Sequence, residues 1–180
     1  MTKHEKMVEG LVKSGNVILT QLTPDDCHLW HMATGLMGEA VELQQAIIKN
    51  DLDNFIEEGG DSCFYQTALF LIFKLEYHDE EDKTPSVQAN LSAIDDYLKT
   101  CGEILDLVKK SVIYRKKLEI DKFSDLLIDS KGILRDIASC YTLSIGTFLD
   151  HNYAKLGKRY KGHKYSDEQA QARKDKHEGD

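Results

Sequence analysis

Proline is nearly absent from this chain, and where it occurs it marks helix starts. The 180 residues contain two, Pro24 and Pro85, each directly after a threonine. A proline locks its own φ and lacks an N–H, so it breaks a helix interior yet fits the first helical position. Thr23-Pro24-Asp25-Asp26 therefore reads as a helix start, with Thr23 as N-cap and an acid three residues after it. Thr84-Pro85 opens another helix in the same manner. With so few breaks elsewhere, the expected fold is all-α, a four-helix-bundle-like core.

A short N-terminal helix is expected over Thr2 to Lys13, where Met7, Val8, Leu11 and Val12 form a stripe to pack on the bundle. The helix from Pro24 should run to about Lys49, turn at Asn50-Asp51 and continue as a second helix from Leu52 to about Tyr77. His78 to Lys83 reads as an acidic solvated loop. The third helix should reach about Tyr114 and the fourth start near Ser124, with a charged connection over Arg115 to Lys122. Cys101-Gly102-Glu103-Ile104-Leu105-Asp106-Leu107 parallels Met37-Gly38-Glu39-Ala40-Val41-Glu42-Leu43, and Ala138-Ser139-Cys140-Tyr141 parallels Asp61-Ser62-Cys63-Phe64. The parallel suggests an internal duplication, two antiparallel helical hairpins facing across a pseudo-twofold axis. The second copy is degraded, because Arg135 and Ala138 fall where Glu58 and Asp61 stand in the first. One competent acidic cluster per chain is the consequence. Residues 1–180 then form a single domain, with an N-terminal helix and connection over 1–22, a helical core over 23–149 and a basic tail over 150–180.

The formal charge of −8 argues against a nucleic-acid partner. The four cysteines, Cys27, Cys63, Cys101 and Cys140, have no zinc-like spacing, and no apolar run is long enough for a membrane span. They read as reduced thiols of a cytoplasmic protein.

Within this frame, Gly38-Glu39-Ala40-Val41-Glu42-Leu43 and Glu57-Glu58-Gly59-Gly60-Asp61 carry the chemistry. Glu39 and Glu42 are three residues apart, as are Glu58 and Asp61, so each pair leaves its helix from one face. On antiparallel neighbours the pairs would point four carboxylates at one another. Helical acids often mark only a solvated face. Here Met37, Ala40, Val41, Leu43 and Ala46 surround the first pair, and the run from Ala68 to Phe73 makes the second helix apolar nearly all round, as a buried helix would be. Apart from Lys49, no Lys or Arg lies between Glu39 and Asp61. A hard divalent cation, Mg2+ or Mn2+, is the expected partner. Gly59 and Gly60 would leave room for a ligand beside the cluster.

The two segments together resemble the ExxE…ExxD signature of the MazG-like all-α nucleoside triphosphate pyrophosphohydrolases, a superfamily that includes the dimeric dUTPases. Asn152-Tyr153-Ala154-Lys155-Leu156-Gly157-Lys158-Arg159-Tyr160, continuing through Ser166-Asp167-Glu168-Gln169-Ala170 to Arg173-Lys174-Asp175, resembles the N-x-x-K-L-x-x-R-Y tail of such proteins, particularly those of bacteriophages. The resemblance implies hydrolysis of (deoxy)nucleoside triphosphates to nucleoside monophosphate and pyrophosphate. Glu39, Glu42, Glu58 and Asp61 would hold Mg2+ and serve catalysis, with Glu42 or Glu57 handling the water. Asn152, Lys155, Arg159 and Tyr160 would bind phosphate, with the remaining tail lysines as surface, and Tyr65 would reach phosphate or water. It also implies a homodimer or higher oligomer, in the host cytoplasm if phage-encoded.

Trp30 and His31 have two readings, a wall for the nucleobase or plain core residues. Glu103 and Asp106 read as a remnant on a polar face, and Arg135 as a further phosphate contact. Two other functions compete with the main one: a dUTPase-like activity, favoured by the two-hairpin layout, and a helical interaction protein whose acids are only surface.

Overall fold

The computed structural model describes residues 1–75, 92–173 and 175. These residues are helical throughout their ordered elements, with no strand among them. The start expected at Thr84-Pro85 and the loop from His78 to Lys83 lie outside the described residues. So do Tyr77 and Lys174. No helix of the described residues is long and apolar enough to cross a membrane.

The first long helix forms where the capping signal lies. Preceded by α1 (Lys3–Leu11) and α2 (Gly15–Leu19), α3 spans Pro24–Lys49. Thr23 accepts from Asp26 N at 3.1 Å, and the Asp26 carboxylate accepts from Thr23 N at 2.9 Å, which satisfies two otherwise unpaired donors. Asn50 ends α3 in the left-handed conformation, φ 53°, and Asp51 caps the next helix by accepting from Asn54 N at 3.1 Å. This two-residue connection makes α4 (Leu52–Ile72) the antiparallel partner of α3. α4 stops short of Tyr77 because Lys74 turns left-handed, φ 54°, and Leu75 N donates back to Phe70 O at 2.9 Å.

The second hairpin is α5 (Ser92–Tyr114) and α6 (Ile120–Cys140), joined through Arg115 at φ 56°. α6 begins four residues before Ser124, so the charged connection ends at Glu119. α3 packs on α4 and α5, and α6 on α5 and α4, closing a four-helix ring. Leu36, Leu43, Leu69, Ile104, Val108, Phe123, Leu127 and Leu134 fill its centre. There Gln66 Nε2 of α4 donates to Tyr97 OH of α5 at 3.3 Å and to Ser130 Oγ of α6 at 3.1 Å. A buried polar link across three helices fixes their mutual register.

Two packing expectations are corrected. None of the residues of α1 is buried, because Met7, Val8 and Leu11 have no helix over them. Instead, Lys13 and Arg115 tie the N-terminal connection to the end of α5, Arg115 Nη2 donating to Gln21 O at 2.6 Å. α4 is not buried on every side either. Phe64 and Leu71, the latter 71% exposed, lie along an open apolar groove of about 470 Å³ beside the next helix. That helix, α7 (Ile145–Arg159), is capped by Ser144 and packs on α4. It is followed by a 3-10 turn, η1 (Lys161–His163), and by α8 (Asp167–Ala172). Residue 150, where the basic tail was expected to begin, lies inside α7.

Candidate metal centre

α3 and α4 bring Glu39, Glu58 and Asp61 together. One carboxylate oxygen from each lies within 4.8 Å of the others, and no other such group of three or more occurs among the described residues. Glu58 is only 6% exposed, so the acids are not a solvated face. Burial, then the Glu39 carboxylate beside it, pushes the Glu58 carboxyl up to about 8. Burial also raises Glu39, to about 6, although its hydrogen bond with Glu58 pulls the other way. Burial and the Glu39–Glu58 hydrogen bond favour a proton held between the two carboxyls, which an oxygen-coordinating cation would have to replace.

Glu42, the fourth expected ligand, is exposed and stands outside this group. Three residues past Glu39 on a helix is about 60° of rotation and 4.5 Å of rise, here away from the core. Its negative charge still reaches Glu39 and Glu58. Trp30 does not join the cluster. Nine residues before Glu39 is about two and a half turns, which places it on the opposite side of α3, half-buried against the core. His31, although exposed, meets the Tyr65 ring edge-on with centroids 6.3 Å apart.

The glycines make room for a helix rather than a ligand. A Cβ on Gly59 would stand 2.6 Å from the Phe148 ring, and one on Gly60 would stand 2.8 Å from Phe148 O and 3.0 Å from Asn152 Cβ. Without side chains there, α7 comes close enough for Asn152 and Lys155 to reach the acids. Asn152 Nδ2 donates to Asp61 Oδ1 at 2.6 Å. Lys155, 8% exposed, donates to Glu57 Oε1 at 3.1 Å and to Asp61 Oδ2. Salt bridging, discounted because no cation lies nearby in sequence, is therefore supplied by α7.

Tyr65 lies over the cluster on the α3 side. Its ring touches the backbone at Gly35, where a Cβ would fall 2.2 Å from Tyr65 Cε1. Burial raises its phenol above the ordinary value; the charges of Glu39 and Asp61 add to this, while Arg159 opposes it. Tyr160 follows Arg159, whose guanidinium carbon is 6.0 Å from the Tyr160 ring centre. Arg159 itself pairs with Asp175. Lys158, Lys161 and Lys164 are exposed.

In the second hairpin Asp106 pairs with Lys109 at 2.5 Å and Lys110 at 2.6 Å on an exposed face, and Arg135 pairs with Asp136 at 3.5 Å. No disulfide joins the four cysteines, of which Cys63 and Cys101 are buried. Glu57, named from sequence only as an alternative to Glu42 at the water, and Asp175, quoted only within the tail, are found paired with Lys155 and Arg159. Nothing in their spacing marks them, because their partners come from another helix or from the distant end of the chain. Compared with family models, curated proteins and solved structures, the chain matches none.

Proposed function

We propose that this chain is a divalent-cation-dependent pyrophosphohydrolase acting on nucleoside or deoxynucleoside triphosphates. The observation that carries this reading is one site in which acids of α3 and α4 meet phosphate-type donors of α7. Glu39, Glu58 and Asp61 line α3 and α4, while Asn152, Lys155 and Arg159 leave one face of α7 above them. The donor set fits a hard cation, being three carboxylates with oxygens within 4.8 Å, two of them raised above the ordinary carboxylate range chiefly by burial. Glu39, Glu58 and Asp61 would hold Mg2+ or Mn2+. Bound there, the cation would offset phosphate charge and lower the pKa of a water.

The chain's own residues supply the rest. Lys155 and Arg159 would draw the β- and γ-phosphates to the α7 side as negative charge builds on the leaving pyrophosphate. Asn152 holds Asp61 in place through its 2.6 Å bond, which fixes the carboxylate's direction. A carboxylate beside the cluster takes the proton from the attacking water; Glu57 and Glu42 are the available ones. The water oxygen bonds to the α-phosphorus, the α–β bridge breaks, and pyrophosphate leaves with the bridging oxygen.

The test is release of pyrophosphate and nucleoside monophosphate from a panel of NTPs and dNTPs with Mg2+ or Mn2+, with Glu58→Gln and Asp61→Asn alongside. Turnover lost in both variants supports the reading. A panel left uncleaved, or variants that match the wild type, would overturn it.

A further inference from the structure

Lys155 and Arg159 sit one turn apart on one face of α7, yet they are engaged differently. Lys155 holds Glu57 and Asp61, whereas Arg159 is held by the chain's far end. Its Nε donates to Asp175 Oδ1 at 2.6 Å and its Nη2 donates to Oδ2. The Asp175 side chain is 1% exposed and that of Arg159 16%. A forked pair shielded from water is how a guanidinium grips a carboxylate or two oxygens of a phosphate. The approach to Asp175 leaves α8 through Arg173 at φ 41°, a left-handed conformation unfavourable for a side-chain-bearing residue. Asp175, a carboxylate tethered beyond α8, is the strap that this ion pair holds.

We propose that Asp175 is a tethered stand-in for a substrate phosphate, and that the strap must release Arg159 before a polyphosphate chain can bind. This rests on the functional reading above. A carboxylate tied to the same chain competes at high effective concentration, so a singly charged ligand displaces it poorly and a polyphosphate well. The apparent dissociation constant is then raised by the inverse of the fraction of molecules with the strap open.

Calorimetric titration of the full chain with inorganic tripolyphosphate, in Mg2+, tests this. Asp175→Asn and Asp175→Ala should each tighten binding by about three- to thirtyfold. The gain should vanish when Arg159→Gln is added, because the competition acts through that guanidinium. If Asp175 only clamps the end of the chain, the variants lower Tm and bind tripolyphosphate no better than wild type, which overturns the proposal while the functional reading stands. Absence of binding in every variant and in the wild type would overturn both. Tightened binding without turnover of any nucleotide would uphold the strap and overturn the hydrolase reading.

Discussion

Lys155 of α7 donates to Asp61 of α4 across 94 residues of chain, so a side chain with phosphate-binding chemistry rests on a candidate metal ligand. Burial works against the Lys155 charge, but Asp61 and Glu57 outweigh it and raise its pKa above the ordinary value. A metal ion held by the three acids would compete with this ammonium for one carboxylate. Metal arriving at Asp61 would free the Lys155 ammonium for a phosphate, which couples cation binding to substrate binding.

Lys155→Met should therefore weaken the metal-free protein and enlarge its response to metal. Removing one partner of a fully buried pair costs about 3–5 kcal/mol. Asp61 keeps 23% side-chain exposure, so a loss of roughly 2 kcal/mol is expected, or about 4–8 °C in Tm for a domain of this size. Thermal melts with and without Mn2+ check it. A smaller metal-induced shift in the variant than in the wild type would mean that Lys155 supports the ion instead of competing with it.

The raised carboxyls give a pH dependence with a definite sign. Glu58 moves from 4.5 up to about 8 and Glu39 from 4.5 up to about 6. The folded state holds these protons more tightly than the unfolded chain, so their stabilising contribution is complete below about pH 4.5 and is lost as pH rises toward 8. Urea unfolding in EDTA should show stability declining across that window, by at most about 1.4 kcal/mol per pH unit for each such proton. Glu58→Gln should flatten the decline. In the wild type, stabilisation by Mn2+ should grow with pH, since the ion takes the place of the shared proton. A metal effect independent of pH between 6 and 8 would contradict the shared-proton arrangement.

Much of the first hairpin was legible in the sequence because its signals are local. Thr23-Pro24-Asp25-Asp26 specifies a cap with its own neighbours, and Asn50-Asp51 specifies both a stop and a start. The helical spacing that pairs Glu58 with Asp61 also holds. What could not be read is which flank turns inward. Glu39 and Glu42 look equivalent on paper, but the position of α4 selects one of them. α7 carried a signal that went unused: Phe148, Asn152, Lys155 and Arg159 recur at intervals of four, three and four, the period of a helix with one buried face. That those residues meet Gly59, Gly60 and Asp61 depends on tertiary packing, to which local propensity is blind.

The close approach of α7 predicts opposite outcomes for two glycine substitutions. A Cβ at Gly60 meets Phe148 O at 2.8 Å, a backbone atom that must move, whereas at Gly132 in α6 nothing lies within 4 Å. Alanine at a helix interior gains about 1 kcal/mol over glycine where space allows. Gly132→Ala should therefore raise stability by about 0.5–1 kcal/mol. Gly60→Ala should lower it by about 1–3 kcal/mol, since overpacking exceeds the helix gain. Pushing α7 outward also withdraws Asn152 and Lys155 from Asp61, so Gly60→Ala should depress nucleotide turnover while Gly132→Ala leaves it unchanged. Chemical denaturation and the pyrophosphate assay read both effects.

Glu42 offers the sharpest separation between a four-carboxylate and a three-carboxylate site. If the three grouped acids hold the ion, Glu42 contributes through space, from an exposed position where water and salt screen its charge. Mn2+ titration should then show Glu42→Gln weakening affinity by no more than about threefold, within the range of a screened surface charge of about 0.2–1 kcal/mol. Glu58→Gln, which removes a ligand oxygen from a buried donor set, should weaken it by at least about tenfold, in the range seen when a site's supporting contacts are lost. Equal losses in the two variants would require α3 to bring Glu42 into the cluster when metal binds, and the three-ligand site would be wrong. Retained Mn2+ affinity combined with lost turnover in Glu42→Gln would have a different meaning. It would place Glu42 at the attacking water and leave Glu57 as the partner of Lys155, because a base need not bind the ion to act beside it.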